Sequence, residues 1–174
     1  MKKVYVNWSD VERQTQEIIR QMYLDDFHPD YVVGLTRGGL VPASLISQYL
    51  EAPMNTLKVS LRDDSECETN CWMAEDAYQG RKILIVDDIN DSGATINWIR
   101  QDWQGGRQQD DPEWAKIWGG NVRIAVLYNN ESSQNEIEVS YAAEYVNKIE
   151  TPQWIVFPWE EWWRKWNPEE QHNE

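Results

Sequence analysis

The segment Ile83–Thr95, ILIVDDINDSGAT, constrains the fold more than any other part of the chain. An apolar run, Ile83 to Val86, drives straight into a polar stretch holding Asp87, Asp88 and Asp91, then a tight turn at Ser92 and Gly93. An unbroken apolar run of this length fits a strand buried on both faces, as in parallel sheets covered by helices. The carboxylates then fall at the carboxyl end of that strand, where open α/β sheets bind ligands.

The neighbouring segments agree with such a sheet. YVVGLT from Tyr31, MNTLKVSL from Met54, NVRIAVLYN from Asn121 and QWIVF from Gln153 read as further strands. WSDVERQTQEIIRQMYL predicts a helix, with Ser9 and Asp10 as cap candidates and Val11, Ile18, Ile19 and Met22 at helical spacing. PASLISQYL, with Pro42 in its first turn, and GATINWIRQDW predict two more. From Arg62 to Gly80 the chain is polar with no firm period, which predicts a long loop. Strands alternating with helices indicate an α/β domain around a mainly parallel sheet flanked by helices. No repeat or linker divides residues 1–174, so a single domain is expected. The segment QGGRQQDDPEWAKIWGG, within about 102–121, reads as an insertion whose Trp114 and Trp118 are expected to build an oligomer surface.

Charge narrows the partners. Thirty acidic against sixteen basic residues give a formal charge of −14, a poor footprint for nucleic acid or an anionic membrane. No apolar run reaches the ~18 residues of a membrane span, and the N-terminus lacks the core of a signal peptide, so a cytoplasmic protein is expected. Cys67 and Cys71 lack the further ligands of a metal site and read as thiols. His28 and His172 stand apart from any nucleophile, which argues against a His-based triad.

An anionic substrate therefore needs a local device, and two loops supply one. Gly93 permits a tight turn in which the N–H groups of Asp91 to Thr95 converge at the start of a helix, with the Ser92 and Thr95 hydroxyls beside them. That is a cradle for a phosphate monoester. Asp87 and Asp88 just before it suit a pair of ribose hydroxyls, or Mg²⁺ held through oxygen. Cradle and acid pair together imply a ribose 5-phosphate. The turn Thr36-Arg37-Gly38-Gly39 offers a second anion site, with close backbone approach and a bidentate guanidinium. A sugar carrying both a 5-phosphate and a pyrophosphate fits the two. Receiver domains and metal-dependent phosphatases also place acid pairs at strand ends, but explain neither the TRGG turn nor the Ser-Gly-x-Thr turn. No GxxxxGK[ST] P-loop is present.

These segments carry a resemblance. ILIVDDINDSGAT resembles the phosphoribosyl-pyrophosphate (PRPP) signature of type I phosphoribosyltransferases, and GLTRGGLVPA resembles their pyrophosphate loop. TPQWIVFPWE resembles the hood of bacterial xanthine-guanine phosphoribosyltransferases. The resemblance implies the type I fold with a small hood, formed by about 1–10 and 145–165, and transfer of ribose 5-phosphate from PRPP to a purine with release of pyrophosphate. It implies that Asp87 and Asp88 bind the ribose hydroxyls, with Asp88 contacting Mg²⁺, and that Asp91 is the acid or base near N7. Ser92, Gly93, Ala94 and Thr95 match the 5-phosphate loop. Thr36, Arg37, Gly38 and Gly39 match the pyrophosphate loop, whose Thr–Arg bond can be cis, and Arg37 would stabilise the leaving group. Trp154 matches the stacking aromatic, the backbone of Ile155 the contact to the 2-position, and Ser60 with the polar loop after it, from Arg62 onward, the mobile flap.

One departure stands out. The family's purine enzymes place a lysine, which reads the 6-oxo group, where this chain has Asn129, give or take one residue; Asn129 can donate as well as accept and is expected to bind the base in its stead. Lys58, Arg62, Arg81 and Lys82 are nearby cations, each read as structural or solvated. The expected function is purine salvage by a homo-oligomer, dimer or tetramer, acting on PRPP and a nucleobase or nucleoside monophosphate. A non-catalytic PRPP- or nucleotide-binding regulator on the same fold is the alternative.

Overall fold

A computed structural model describes residues 1–59, 61 and 67–163. In chain order the elements are β1 (Lys2–Tyr5), α1 (Trp8–Leu24), β2 (Tyr31–Thr36), α2 (Leu40–Leu50), β3 (Met54–Lys58), α3 (Cys71–Tyr78) and β4 (Ile83–Asn90). They continue with α4 (Ala94–Gly105), α5 (Trp114–Ile117), β5 (Val122–Asn130), β6 (Tyr141–Val146) and β7 (Gln153–Val156).

Five strands form one parallel sheet in the order β3-β2-β4-β5-β6. Side chains alternate across it. Ile83 and Ile85 of β4 join Val122, Ile124 and Val126 of β5 on one face, under Met73 of α3 and Ile99 and Trp103 of α4. Leu84 and Val86 join Ala125 and Leu127 on the other, under Ile18 and Met22 of α1 and Ala43 and Ile46 of α2. The unbroken apolar run of β4 thus feeds two cores at once, as a period of two requires. β1 and β7 form a separate parallel pair that docks on the α1 and α2 side, with Lys3 opposite Trp154 and Val4 opposite Ile155.

The topology places the site. The chain steps outward from β2 to β3, then returns to put β4 on the opposite side of β2. α2, which follows β2, covers one face, and α4, which follows β4, covers the other. The loops leaving β2 and β4 therefore diverge in opposite directions and open a crevice at the carboxyl ends of the strands.

Several expectations need correction. α1 is capped by Asn7, whose side chain accepts from Asp10 N at 2.8 Å while Asp10 accepts from Asn7 N at 3.1 Å. Asp10 is thus the return arm of a capping box, three residues inside the cap. The polar stretch expected as a loop contains α3, capped by Asn70 on Met73 N at 2.9 Å, with Met73, Ala74 and Ala77 buried. Those apolar positions are too few for a periodic signal, and packing against α4 holds the helix. β6 was not expected, since SYAAEYV mixes small and polar residues, yet it forms the sheet edge beside β5. Trp114 is 2% exposed, stacked on Trp118 at 5.9 Å, and so belongs to the chain's own core rather than to an oligomer surface.

Candidate active site

At the end of β4, Asp87 and Asp88 turn their carboxylates onto the backbone. Asp87 Oδ1 accepts from Asp88 N at 2.9 Å, and Asp88 Oδ1 accepts from Ile89 N at 2.8 Å. The Asp88 carboxylate also closes on Gly38 in the loop after β2, where any Cβ would overlap it. Gly39 is hemmed in by backbone instead, with the Val86 carbonyl in the space a Cβ would take and Asp87 Cα 2.9 Å from it. These two approaches press the TRGG turn against the acid pair. The Thr36–Arg37 peptide in that turn is cis.

Beyond the acids, Gly93 has φ +87° and caps α4. A side chain there is opposed both by conformation and by space, because a Cβ would stand 2.5 Å from Asn135 N. The turn is pinned from outside by the β5–β6 loop. Gln134 N donates to Ser92 O at 2.9 Å, and Asn97 Nδ2 donates to Gln134 O at 2.8 Å. The Ser92 hydroxyl accepts from Ala94 N at 3.3 Å, and the following N–H groups open the helix. The arrangement suits an anion.

One cavity of about 1070 Å³ joins these parts. Its lining includes Thr36, Arg37, Gly38, Asp87, Asp88, Asp91, Ser92, Gly93, Ala94, Thr95, Trp154 and Ile155. These residues of the TRGG turn, the acid pair, the 92–95 turn and the Trp154–Ile155 pair line one space. Gly39 and Asn129 do not line it. Gly39 supports the cavity from behind. Asn129 is absent from the lining, and its Oδ1 accepts from Asn90 Nδ2 at 2.8 Å. Ser60 and Arg62 lie outside the described residues. Arg81 and Lys82 sit at the opposite end of the sheet: Arg81 pairs with Asp76 at 3.2 Å, and Lys82 N donates to Asp30 at 2.7 Å.

The structure adds a residue that sequence reading missed. Lys148, from the turn after β6, puts Nζ 2.8 Å from Asp91 Oδ1 and 5.8 Å from the Trp154 ring centroid. No motif marks it; VNKIE reads as an ordinary surface turn. Trp154 is 40% exposed, while Phe157 and Trp159 stack on each other at 4.9 Å.

Among the described residues the lining carries Arg37, Lys58 and Lys148 against Asp87, Asp88, Asp91, Glu160 and Glu161. Side-chain charge alone would repel a polyphosphate. A polyphosphate bound here would draw on turn N–H groups, on Arg37, and on a cation travelling with it. The donor set fits Mg²⁺ in that manner: two carboxylates at the cavity wall and room for substrate oxygens. Asp87 and Asp88 would hold it.

A parallel α/β sheet with helices on both faces, a crevice at the switch point, and an anion-suited turn beside an acid pair defines the open α/β class that binds ligands at the carboxyl ends of its strands. The sequence pattern of the phosphoribosyl transferase domain matches residues 3–166, and the chain belongs to that family of enzymes. It is 28% identical to a xanthine-guanine phosphoribosyltransferase of Cereibacter sphaeroides, covering 91% of this chain and 87% of that one. It is 23% identical to a protein of the same description from Idiomarina loihiensis, covering 91% and 88%. The crystal structure of a purine phosphoribosyltransferase from Pyrococcus horikoshii shares the fold, with a TM-score of 0.66, 23% identity, and coverage of 92% and 95%. No helix of the described residues is long and apolar enough to cross a membrane.

Proposed function

We propose that the chain transfers ribose 5-phosphate from PRPP to a 6-oxopurine, hypoxanthine, guanine or xanthine, releasing pyrophosphate. The observation that carries this reading is the single cavity onto which the TRGG turn, the acid pair, the 92–95 turn and Trp154 all open. The 5-phosphate lies in the Ser92–Thr95 turn, the ribose hydroxyls meet Asp87 and Asp88, and the pyrophosphate lies by Thr36–Gly39. Asp87 and Asp88 would hold Mg²⁺, which would supply positive charge for the departing pyrophosphate.

The base lies on Trp154, with the Ile155 backbone at its 2-position and its N7–H toward Asp91. As N9 bonds to C1, the bond from C1 to the pyrophosphate oxygen breaks and its electron pair leaves with that oxygen. Asp91 takes the N7 proton, and Arg37 steadies the leaving group. Residues 1–174 act as one unit, with its hood at about 1–10 and 145–165 and the flap at Ser60 and Arg62 as the sequence implies. The setting is purine salvage in the cytoplasm by a dimer or tetramer, and light scattering checks the mass.

The test is pyrophosphate release from PRPP and Mg²⁺ with a panel of bases. Turnover with hypoxanthine, guanine or xanthine supports the proposal. Turnover with pyrimidines alone, or with none of the bases, overturns it.

A further inference from the structure

Lys148 and Asp91 form a charge pair that faces the base end of the cavity, and the fold goes to some length to hold it there. The Asn130 side chain, 6% exposed at the end of β5, bridges the two backbones. Its Nδ2 donates to Asp91 O at 2.8 Å, and its Oδ1 accepts from Lys148 N at 3.1 Å. Ser132 donates to the same oxygen from its hydroxyl at 2.8 Å and from its N–H at 3.3 Å. One buried amide therefore fixes the register between the catalytic turn and the turn that brings Lys148. The Lys148 side chain is only 16% exposed, so its Nζ is confined between the Asp91 carboxylate and the Trp154 ring.

An ammonium and a carboxylate side by side present one donor and one acceptor to whatever lies on Trp154. The matching ligand edge needs one acceptor and one donor in the same order. A free 6-oxopurine has them: N7–H donates, and the adjacent O6 accepts. Position 7 and the 6-substituent lie close enough that one bidentate side chain can span both. A 6-aminopurine offers two donors there, so its amine would meet an ammonium with no acceptor between them. A polar site mismatched in this way rejects the wrong ligand strongly, because buried groups are left unpaired.

We infer that Lys148 is the side chain that selects the 6-substituent of the base, and that Asn130 is the positioning residue that sets Lys148 against Asp91. The inference rests on the purine reading given above. It moves base selection from the end of β5, where Asn129 is engaged by Asn90, to the turn between β6 and β7.

The experiment compares the unaltered enzyme with Lys148→Met and Asn130→Ala. KM and kcat are measured for hypoxanthine, guanine and adenine at saturating PRPP, and inosine and adenosine monophosphate are titrated by calorimetry. For Lys148→Met the expected result is a hypoxanthine KM raised about 30-fold or more, with PRPP KM unchanged. The binding preference for inosine over adenosine monophosphate should collapse by a similar factor. Asn130→Ala should shift both readings in the same direction by less, with its melting transition retained. If Lys148→Met does not fold, Lys148→Gln carries the same comparison. A folded Lys148 variant with unchanged hypoxanthine KM and unchanged nucleotide preference overturns the inference. An unaltered enzyme that turns over no purine sinks the functional reading instead, while the nucleotide titrations still decide the role of Lys148. Binding of neither nucleotide would overturn both.

Discussion

Gly38 and Asp88 approach so closely that a methyl group on the glycine would overlap the carboxylate, standing 2.7 Å from Oδ1. The partner is a side-chain end that can swing away. Gly38→Ala should therefore fold and melt nearly as the parent does, while PRPP binding weakens as Asp88 is displaced. Gly39→Ala meets the Val86 carbonyl and Leu35 N, which are backbone and cannot yield cheaply. Its expected cost is about 1–3 kcal/mol of stability. Urea unfolding and PRPP titration on both variants separate the two effects, and equal stability losses would refute the distinction.

Asp91→Asn removes the proton acceptor but keeps the shape of the site and one arm toward Lys148. Turnover should drop about 100-fold or more, the usual contribution of a positioned acid or base. PRPP affinity should change far less. Single-turnover kinetics with a 6-oxopurine makes the measurement, and an unaffected rate would remove the role assigned to Asp91.

Trp114 is buried against Trp118 and Tyr78, and its indole N–H donates to Gln108 O at 3.2 Å. Trp114→Ala should cost about 3–5 kcal/mol in unfolding free energy, because the cavity cannot fully collapse. Neither member of the stacked pair is among the residues that line the cavity with the acid pair. Turnover per folded molecule should therefore hold. A lost oligomer with unchanged monomer stability would contradict this account.

Tyr31 opens β2 and donates to Asp76 at 3.0 Å. Burial first, and the Asp76 carboxylate second, push its phenol well above the ordinary value of 10.0. The fold thus keeps this proton longer than the unfolded chain does. Its contribution is complete below about pH 10 and declines as pH rises further, when only the unfolded chain gains by ionising. The melting temperature should fall above that pH, and Tyr31→Phe should show a shallower fall. Tyr128 and Tyr141, also raised by burial, leave part of the slope in place. Parallel slopes for parent and variant would exclude Tyr31 as a source.

The legible parts of this molecule are those where one short segment dictates its own environment. The apolar run of β4 required a covered parallel sheet, and Gly93 with the acids around it required a turn at that strand's end. Both could be read without knowing what lay elsewhere. α3 and β6 were not legible, because their stability comes from neighbours: Met73 and Ala77 become a core only once α4 arrives, and β6 becomes a strand only beside β5. Lys148 was hidden for a related reason. Its neighbours in sequence say nothing of Asp91, and the link runs through Asn130, a residue whose side chain looks ordinary until its two backbone partners are seen.

The pairing of β1 with β7 has a consequence for the order in which the enzyme becomes competent. Lys3 has no strand partner until Trp154 has been synthesised, and by then all five strands of the main sheet have been made. A growing chain can thus make the turn between β4 and α4 well before β1 and β7 can pair. If the base lies on Trp154 as proposed, competence for transfer arrives with β7, when an early segment is finally given something to pair with.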